Sequence, residues 1–209
     1  MKELILVGFG GHGKSVADTI ERAGEYRIIG YTDVEDRNVP YPYLGTDDGL
    51  QMYYDSGIKY ACVCIGYMGK GNVRNNLYEK LTSIGFELPV IIDPSAIVSD
   101  SAWVGEGTFI GKNSVINAEV NVGKMCIINT NSLVEHECDV GDFSHIAVGA
   151  VLCGQVKIGK GSFIGANATI VQNSELEDNA FVGANKMICC KRTEVRGDCL
   201  KTNSLTSFN

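Results

Sequence analysis

Little in this sequence points to a membrane, an export route or a nucleic acid. The opening Met1-Lys2-Glu3 runs into an apolar stretch at residues 4–7, far short of the ~18 that a membrane span requires. No export signal is read there, so a cytoplasmic location is expected. Positive charge is scarce: the net charge is −7, whereas a general nucleic-acid binder needs a basic face to displace counterions from phosphates. Small anionic ligands remain compatible with that balance. Zinc-type cysteine motifs are also missing. The cysteines are residues 62, 64, 126, 138, 153, 189, 190 and 199. Cys62 and Cys64 sit two apart in an apolar run, and Cys189-Cys190 has no C-x-x-C partner, so small, buried, reduced residues are expected. Histidine is limited to 3 residues.

What is present describes a folded protein. At 44% hydrophobic and 21% charged residues, the composition disfavours disorder, and 25 glycines indicate many tight turns. The 209 residues allow one large domain or two modest ones.

The strongest signal is a period of six. From Val98 through Val104, Ile110, Ile116, Val122 and Ile128 to Ile188, an aliphatic residue falls at every sixth position without a miss. With about a quarter of residues aliphatic, chance would give this run on the order of one time in a billion. Four positions after each aliphatic comes a mostly small residue, as at Ala102, Thr108, Ser114 and Ser132, and glycine often follows the aliphatic, as at Gly105, Gly111 and Gly123. A helix turning every 3.6 residues cannot use this step. Each hexapeptide therefore reads as one short strand and one turn, with the aliphatic filling a narrow prism and the small residue letting the chain round a corner. Three hexapeptides close a triangular coil, giving about five coils stacked at ~4.8 Å. The expected architecture for residues 94–209 is a left-handed parallel β-helix with a C-terminal tail, its ends capped by the flanking segments.

Residues 1–93 read as a small Rossmann-like α/β domain. A strand at 4–7 leads into Gly8-Phe9-Gly10-Gly11-His12-Gly13 and a helix at about 14–22. A second strand is expected at 27–31 and a buried one at 60–65, and Ile91-Ile92 leads into Asp93-Pro94 at the boundary. Two motifs overlap in the first turn. Gly8, Gly10 and Gly13 fit G-x-G-x-x-G, with Asp33 about twenty residues on to meet a ribose hydroxyl. Gly8, Gly13, Lys14 and Ser15 also fit a phosphate-binding loop, but no strand such as 60–65 ends in a magnesium-binding Asp. A nucleotide is expected; a nicotinamide cofactor is not implied.

The G-G-H-G turn at residues 10–13 and the E-H-E-C segment at 135–138, set within this ladder, resemble the PglD/NeuD family. These are bacterial acetyltransferases for nucleotide-linked amino sugars or sialic acid, which join a small α/β domain to a hexapeptide-repeat β-helix. The resemblance implies acetyl-CoA as cosubstrate, a nucleotide-linked amino sugar as acceptor, and a homotrimer with active sites between neighbouring prisms. It implies His136 as catalytic base with Glu137 as partner. It places His145, Gly154, Ala166 and Ala184 on the acetyl-CoA side, with the Gly154 N–H meeting the thioester carbonyl. Gly10, Gly11, His12 and Gly13 would face the nucleotide sugar, with Asn129 and Glu135 nearby.

Elementary chemistry agrees with that choice of base. Acetyl transfer to an amine needs a base for its proton and a donor to the developing oxyanion. His136, with an unperturbed pKa of ~6.5, sits between Glu135 and Glu137, either of which can hold its useful tautomer. His145 is nine residues on, one and a half prism faces away, so only another subunit could bring it to His136. Three alternatives stay open: an O-acetyltransferase acting on sialic acid, a noncatalytic nucleotide-sugar scaffold, and a metal-dependent hydratase. For the last, His136 and His145 alone do not supply three imidazole ligands, and no metal is expected. Near the end, Lys186, Lys191, Arg192, Arg196 and Lys201 outnumber Glu194 and Asp198, a patch suited to coenzyme A phosphates. The segment Gly197-Asp198-Cys199-Leu200-Lys201 keeps only the Gly and Lys of the family's usual ending.

Overall fold

A computed structural model of the chain describes residues 1–69 and 71–189. The basic tail from Lys191 to Lys201, with Cys190 and Cys199, lies outside the described residues. The N-terminal unit is a three-stranded parallel sheet in the order β2-β1-β3, where β1 is Lys2–Val7, β2 is Tyr26–Thr32 and β3 is Tyr60–Val63. Its helices are α1 (Gly11–Ala23), α2 (Leu50–Asp55) and α3 (Val73–Ile84). The first helix begins at Gly11 rather than near Lys14, so half of the glycine turn is its first turn. Gly24 ends it at a φ of 70°, a left-handed cap that glycine adopts without steric cost.

From Ile91 onward the chain winds into a triangular prism. Two-residue strands stack in three parallel sheets, and every partner lies 18 residues away: Ile92 pairs with Ile110, Ile110 with Ile128, and Ile128 with Ile146. The ladder therefore starts one step before Val98, at Ile92. From Ile110 to Ile170 its aliphatics are all essentially buried and form one continuous core with Val120, Cys126, Cys138, Ala150 and Val156 from the corners. Each interior Ile or Leu contributes about 1.5–3 kcal/mol on burial. The corners need a left-handed residue once per hexapeptide. Asn113, Asn131, Asn167, Asn173, Asn179 and Asn185 supply it at φ of 53–61°, as asparagine tolerates this region better than most residues.

The three outer faces differ in chemistry. One, bearing Phe109, Ile127, His145 and Phe163, is covered by the N-terminal unit. The second opens on the exposed Trp103 and then carries Asn121, Asp139, Lys157 and Glu175, so it is polar beyond its first rung. The third carries Ile97, Val115, Leu133, Val151, Thr169 and Met187. On this apolar face Ile97 and Met187 are 66% and 70% exposed, and the four between them are half-buried.

Asp93 fastens the two units together. Its fully buried carboxylate accepts from Thr19 of α1 at 2.9 Å, Arg22 at 3.2 Å, and the Ser95 hydroxyl and N–H at 2.6 and 3.0 Å. Burial opposes its charge, but Ser95, Thr19 and Arg22 together hold the carboxyl below its usual range. No helix among the described residues is long and apolar enough to cross a membrane.

Two stability predictions follow from this packing. Ile164→Ala, a truncation deep in the prism, should cost about 2–5 kcal/mol in urea unfolding. Asp93→Asn should cost about 2–4 kcal/mol at pH 7. Because the native carboxyl titrates below the unfolded value of about 3.9, that difference should be full above about pH 4 and shrink as pH falls further.

Candidate active site

The glycine turn shapes the first half of the site. Gly8 has a φ of 82°, and a Cβ there would lie 2.5 Å from Ile65 Cγ1, so no other residue fits. A Cβ at Gly10 or Gly11 would meet nothing within 4 Å. Packing does not demand these two glycines; they leave bare backbone beside an open cleft. The N–H groups opening α1 point from this end, and an anion is favoured there by the helix dipole.

That cleft, of about 690 Å³, lies between the N-terminal unit and the covered prism face. The turn, Asp33, Arg37, residues 64–68, Asn129 and His145 line it. Asp33 accepts the Phe9 N–H at 2.8 Å, the Val34 N–H at 2.7 Å, and Arg37 Nη2 and Nε at 2.9 and 3.1 Å. With its acceptor positions taken, Asp33 braces the turn, and a ribose hydroxyl would have to displace one of these donors. Lys14 is exposed on the outer side of α1 and does not line this cleft.

His145 sits in the cleft beside Asn129 and the loop after β3. Its Nδ1 lies 2.6 Å from the Tyr67 carbonyl, which can only accept, so Nδ1 carries the proton. Nε2 then accepts from Asn129 Nδ2 at 3.1 Å. With both nitrogens engaged, this imidazole is an oriented wall group. Burial, opposed by the Tyr67 bond and aided by the Arg74 charge, brings its pKa down to about 4. His12 packs edge-on against Phe109 and has a buried Nε2 with no partner. Burial, with Arg74 and His145 nearby, brings its pKa to about 3. An unpaired buried nitrogen beside a cleft is a contact available to a ligand.

His136 and Glu137 lie elsewhere, at the corner between the apolar and polar faces. His136 Nδ1 is 3.1 Å from Glu137 Oε2, which sets the tautomer and leaves Nε2 as the basic nitrogen. Gln155 Nε2 donates to the same oxygen at 3.0 Å. Glu135 accepts from the His136 N–H at 3.2 Å and from Asn117 at 3.1 Å. Glu137 occupies a left-handed corner position, φ 58°, where the ladder often uses asparagine or glycine. Glu119, Met125, Phe143 and Gln155 adopt the same conformation at other corners, so it belongs to the prism and not to this site alone. Gly154 stacks one coil above: a Cβ on it would lie 2.7 Å from His136 Cε1 and Nε2. The imidazole thus lies directly against the Gly154 backbone.

The residues singled out from sequence therefore fall into two groups. Gly10, Gly11, His12, Asp33, Asn129 and His145 gather at the cleft, whereas Gly13, expected to face the ligand, is buried in α1 with Cys64 Cβ 3.4 Å from where its own Cβ would stand, so it serves helix-strand packing. His136, Glu137, Glu135 and Gly154 gather at the far edge of the apolar face. Ala166 and Ala184 follow strands of the covered face, on the corner that also carries Asn129, so they line the near edge of the apolar face. Tyr67, Met68 and Arg37 escaped the sequence reading. Tyr67 and Met68 follow the end of β3, the strand-end position where open parallel sheets bind ligands. Among the described residues, no cluster of three or more His, Cys, Asp or Glu could hold a metal ion.

Hexapeptide coils covered on one face by an α/β unit, with a His-Glu pair at one corner, define a hexapeptide-repeat acyltransferase. The PglD N-terminal domain family matches residues 3–81, and the family described as hexapeptide repeat of succinyl-transferase matches residues 102–135 and 155–188. The fold superposes on PerB from Caulobacter crescentus, solved in complex with CoA and GDP-perosamine, with a TM-score of 0.85 and 30% identity over 90% of this chain and 89% of that one. It also superposes on the acetyltransferase domain of PglB from Neisseria gonorrhoeae FA1090, with a TM-score of 0.83 and 33% identity over 91% and 92% of the two chains. The UDP-N-acetylbacillosamine N-acetyltransferase of Bacillus subtilis (strain 168) is 30% identical over 119 residues. That match spans 53% of this chain and 51% of the Bacillus protein, about half the length of each. The chain belongs to the PglD/NeuD family of hexapeptide-repeat sugar acetyltransferases.

The two cleft histidines give a pH prediction. In proton NMR, the His12 and His145 ring resonances should not titrate above about pH 5, given pKa values of about 3 and about 4. Because the unfolded chain binds these protons first, at about pH 6.5, both residues should make stability fall as pH drops below that value.

Proposed function

We propose that this protein is an acetyl-CoA-dependent N-acetyltransferase acting on the amino group of a nucleotide-activated amino sugar, with a UDP-linked 4-amino-4,6-dideoxy-N-acetylhexosamine as the expected acceptor. The carrying observation is the His136-Glu137 pair, preset with Nε2 basic, against the Gly154 backbone. The sugar amine attacks the thioester carbonyl carbon while His136 Nε2 takes the amine proton. Glu137 supports the imidazolium that forms. The carbonyl oxygen gains charge and is met by the Gly154 N–H, an oxyanion donor that needs no rearrangement. Collapse expels the CoA thiolate, which recovers a proton from His136, and the amide product remains. The glycine turn and α1 N-terminus hold the nucleotide phosphates, neutral His12 and Asn129 offer hydrogen bonds to the sugar, and His145, with both nitrogens already engaged, shapes the wall beside them.

Within one chain the cleft and the base sit at opposite edges of the apolar face. Packing that face against further copies would bring His136 of one subunit toward the cleft of its neighbour, with Ala166, Ala184 and Gly154 bordering the intervening slot for acetyl-CoA. An open stripe of Ile97, Val115, Leu133, Val151 and Met187 supports such burial. A homotrimer, the assembly that the family resemblance implies, would meet the need for a shared site. Water-soluble substrates of this kind are in keeping with a cytoplasmic location.

Incubation with acetyl-CoA and a panel of UDP- and GDP-linked amino sugars should release free thiol, read with a thiol reagent. His136→Ala should lower kcat by about 10²–10⁴ with the melting temperature little changed, as expected for loss of a general base. Undiminished turnover in that variant would sink the assignment. In a separate test, Leu133→Glu should shift the light-scattering mass from trimer to monomer and abolish turnover. A monomeric variant of full activity would rule out a site shared between subunits.

A further inference from the structure

Arg74 has no place in the transfer chemistry, yet it is placed as if it mattered to it. It lies in the first turn of α3 and is only 4% exposed. Its guanidinium meets backbone carbonyls in place of a carboxylate: Nη1 donates to Ile65 at 2.5 Å and Nη2 to Met125 at 2.6 Å. The Nε is buried with no partner. A buried cation held only by carbonyls is costly, and an apolar side chain would join the same elements at lower cost.

The two carbonyls explain why a forked cation is used. Ile65 opens the loop of residues 65–68 that forms one wall of the cleft. Met125 is the left-handed corner residue, φ 55°, leading into the rung of Ile127 and Ile128 that delivers Asn129. Two residues beyond Ile65, the Tyr67 carbonyl receives the His145 proton, and the other side of His145 receives Asn129. Tyr67 also donates from its hydroxyl to the Gly161 carbonyl at 2.7 Å, a second tie between loop and prism. Arg74 thus clamps the two ends of one chain of contacts: Ile65 through Tyr67 to His145, then Asn129, and back along the rung to Met125. A planar fork meets both carbonyls through separate nitrogens in fixed geometry, which a flexible ammonium does not reproduce.

We propose that Arg74 is a positioning residue for the acceptor: without touching substrate, it registers the 65–68 wall against the prism and so sets the orientation of His145 and Asn129. The proposal rests on the transfer reading only for its kinetic readout. The positive charge beside His12 and His145 also works against their protonation, in the same direction as their burial.

The test uses the full chain carrying ¹⁵N-labelled histidine, whose 3 imidazoles are few enough to resolve. Wild-type protein should show His145 as a single Nδ1–H tautomer. Arg74→Met should turn that signal into a mixture of tautomers and raise KM for the acceptor by about tenfold or more, with KM for acetyl-CoA held within about twofold, since two charge-assisted bonds are lost on one side of the site only. Arg74→Lys keeps the charge but not the fixed fork, and should fall between the two on both readouts; it carries the test alone if Arg74→Met does not fold. A folded variant with an unchanged His145 tautomer and acceptor KM would overturn the proposal. So would an equal rise in both KM values, which marks general loosening. Absence of acetyl transfer in the wild type overturns the functional reading instead, and the tautomer measurement still decides the role of Arg74.

Discussion

Everything in this molecule depends on the vertical stacking of one aliphatic residue upon another every 18 residues. The prism is too narrow for anything but these side chains and the small corner residues, and each rung bonds the next through backbone groups in register. The register cannot slip by one residue without turning the aliphatics outward. It cannot slip by six without breaking the column of buried Thr108, Cys126, Ser144 and Ser162, whose hydroxyls or thiols bond backbone carbonyls of the next turn. A rigid frame results, one that presents chosen residues at fixed heights along three edges.

Function is distributed over that frame by face. One face accepts the α/β unit, and the seam between them becomes the cleft. A second is polar beyond its first rung, suited to water. The third is apolar and open, bordered on one edge by Asn129 and on the other by His136. On the proposed reading, acceptor binding and proton removal fall at different edges of the same surface, which is why that reading calls for a second subunit. The local electrostatics follow the same division. Both cleft histidines are held neutral, His145 with its two nitrogens bonded and His12 with an unpartnered Nε2, whereas His136 is half exposed with Nδ1 turned to Glu137.

The sequence was most legible where the physics is repetitive. The ladder from Val98 to Ile188 carried the prism, because an interior this narrow imposes the same demand at every sixth residue. The His136-Glu137 pair was visible because its two residues are adjacent, and adjacency survives folding. Tyr67 and Arg74 were not legible. Their importance comes from backbone carbonyls and from contacts across 78 residues to His145 and 51 residues to Met125, and a carbonyl leaves no mark in a sequence. Asp33 was found by its spacing, but spacing could not reveal that Phe9, Val34 and Arg37 already occupy its oxygens.

The amino-acid sequence by itself therefore determined the architecture and located the glycine turn and the adjacent His136-Glu137 pair, since each follows from periodicity or short-range pattern. Only the tertiary structure decided how these parts relate. It grouped His145 with the glycine turn, because the α/β unit docks on the prism face that carries His145, whereas the separation of His145 from His136 already followed from their spacing. It also left one apolar face uncovered, a property of how the α/β unit docks on the prism and not of any residue pattern within it.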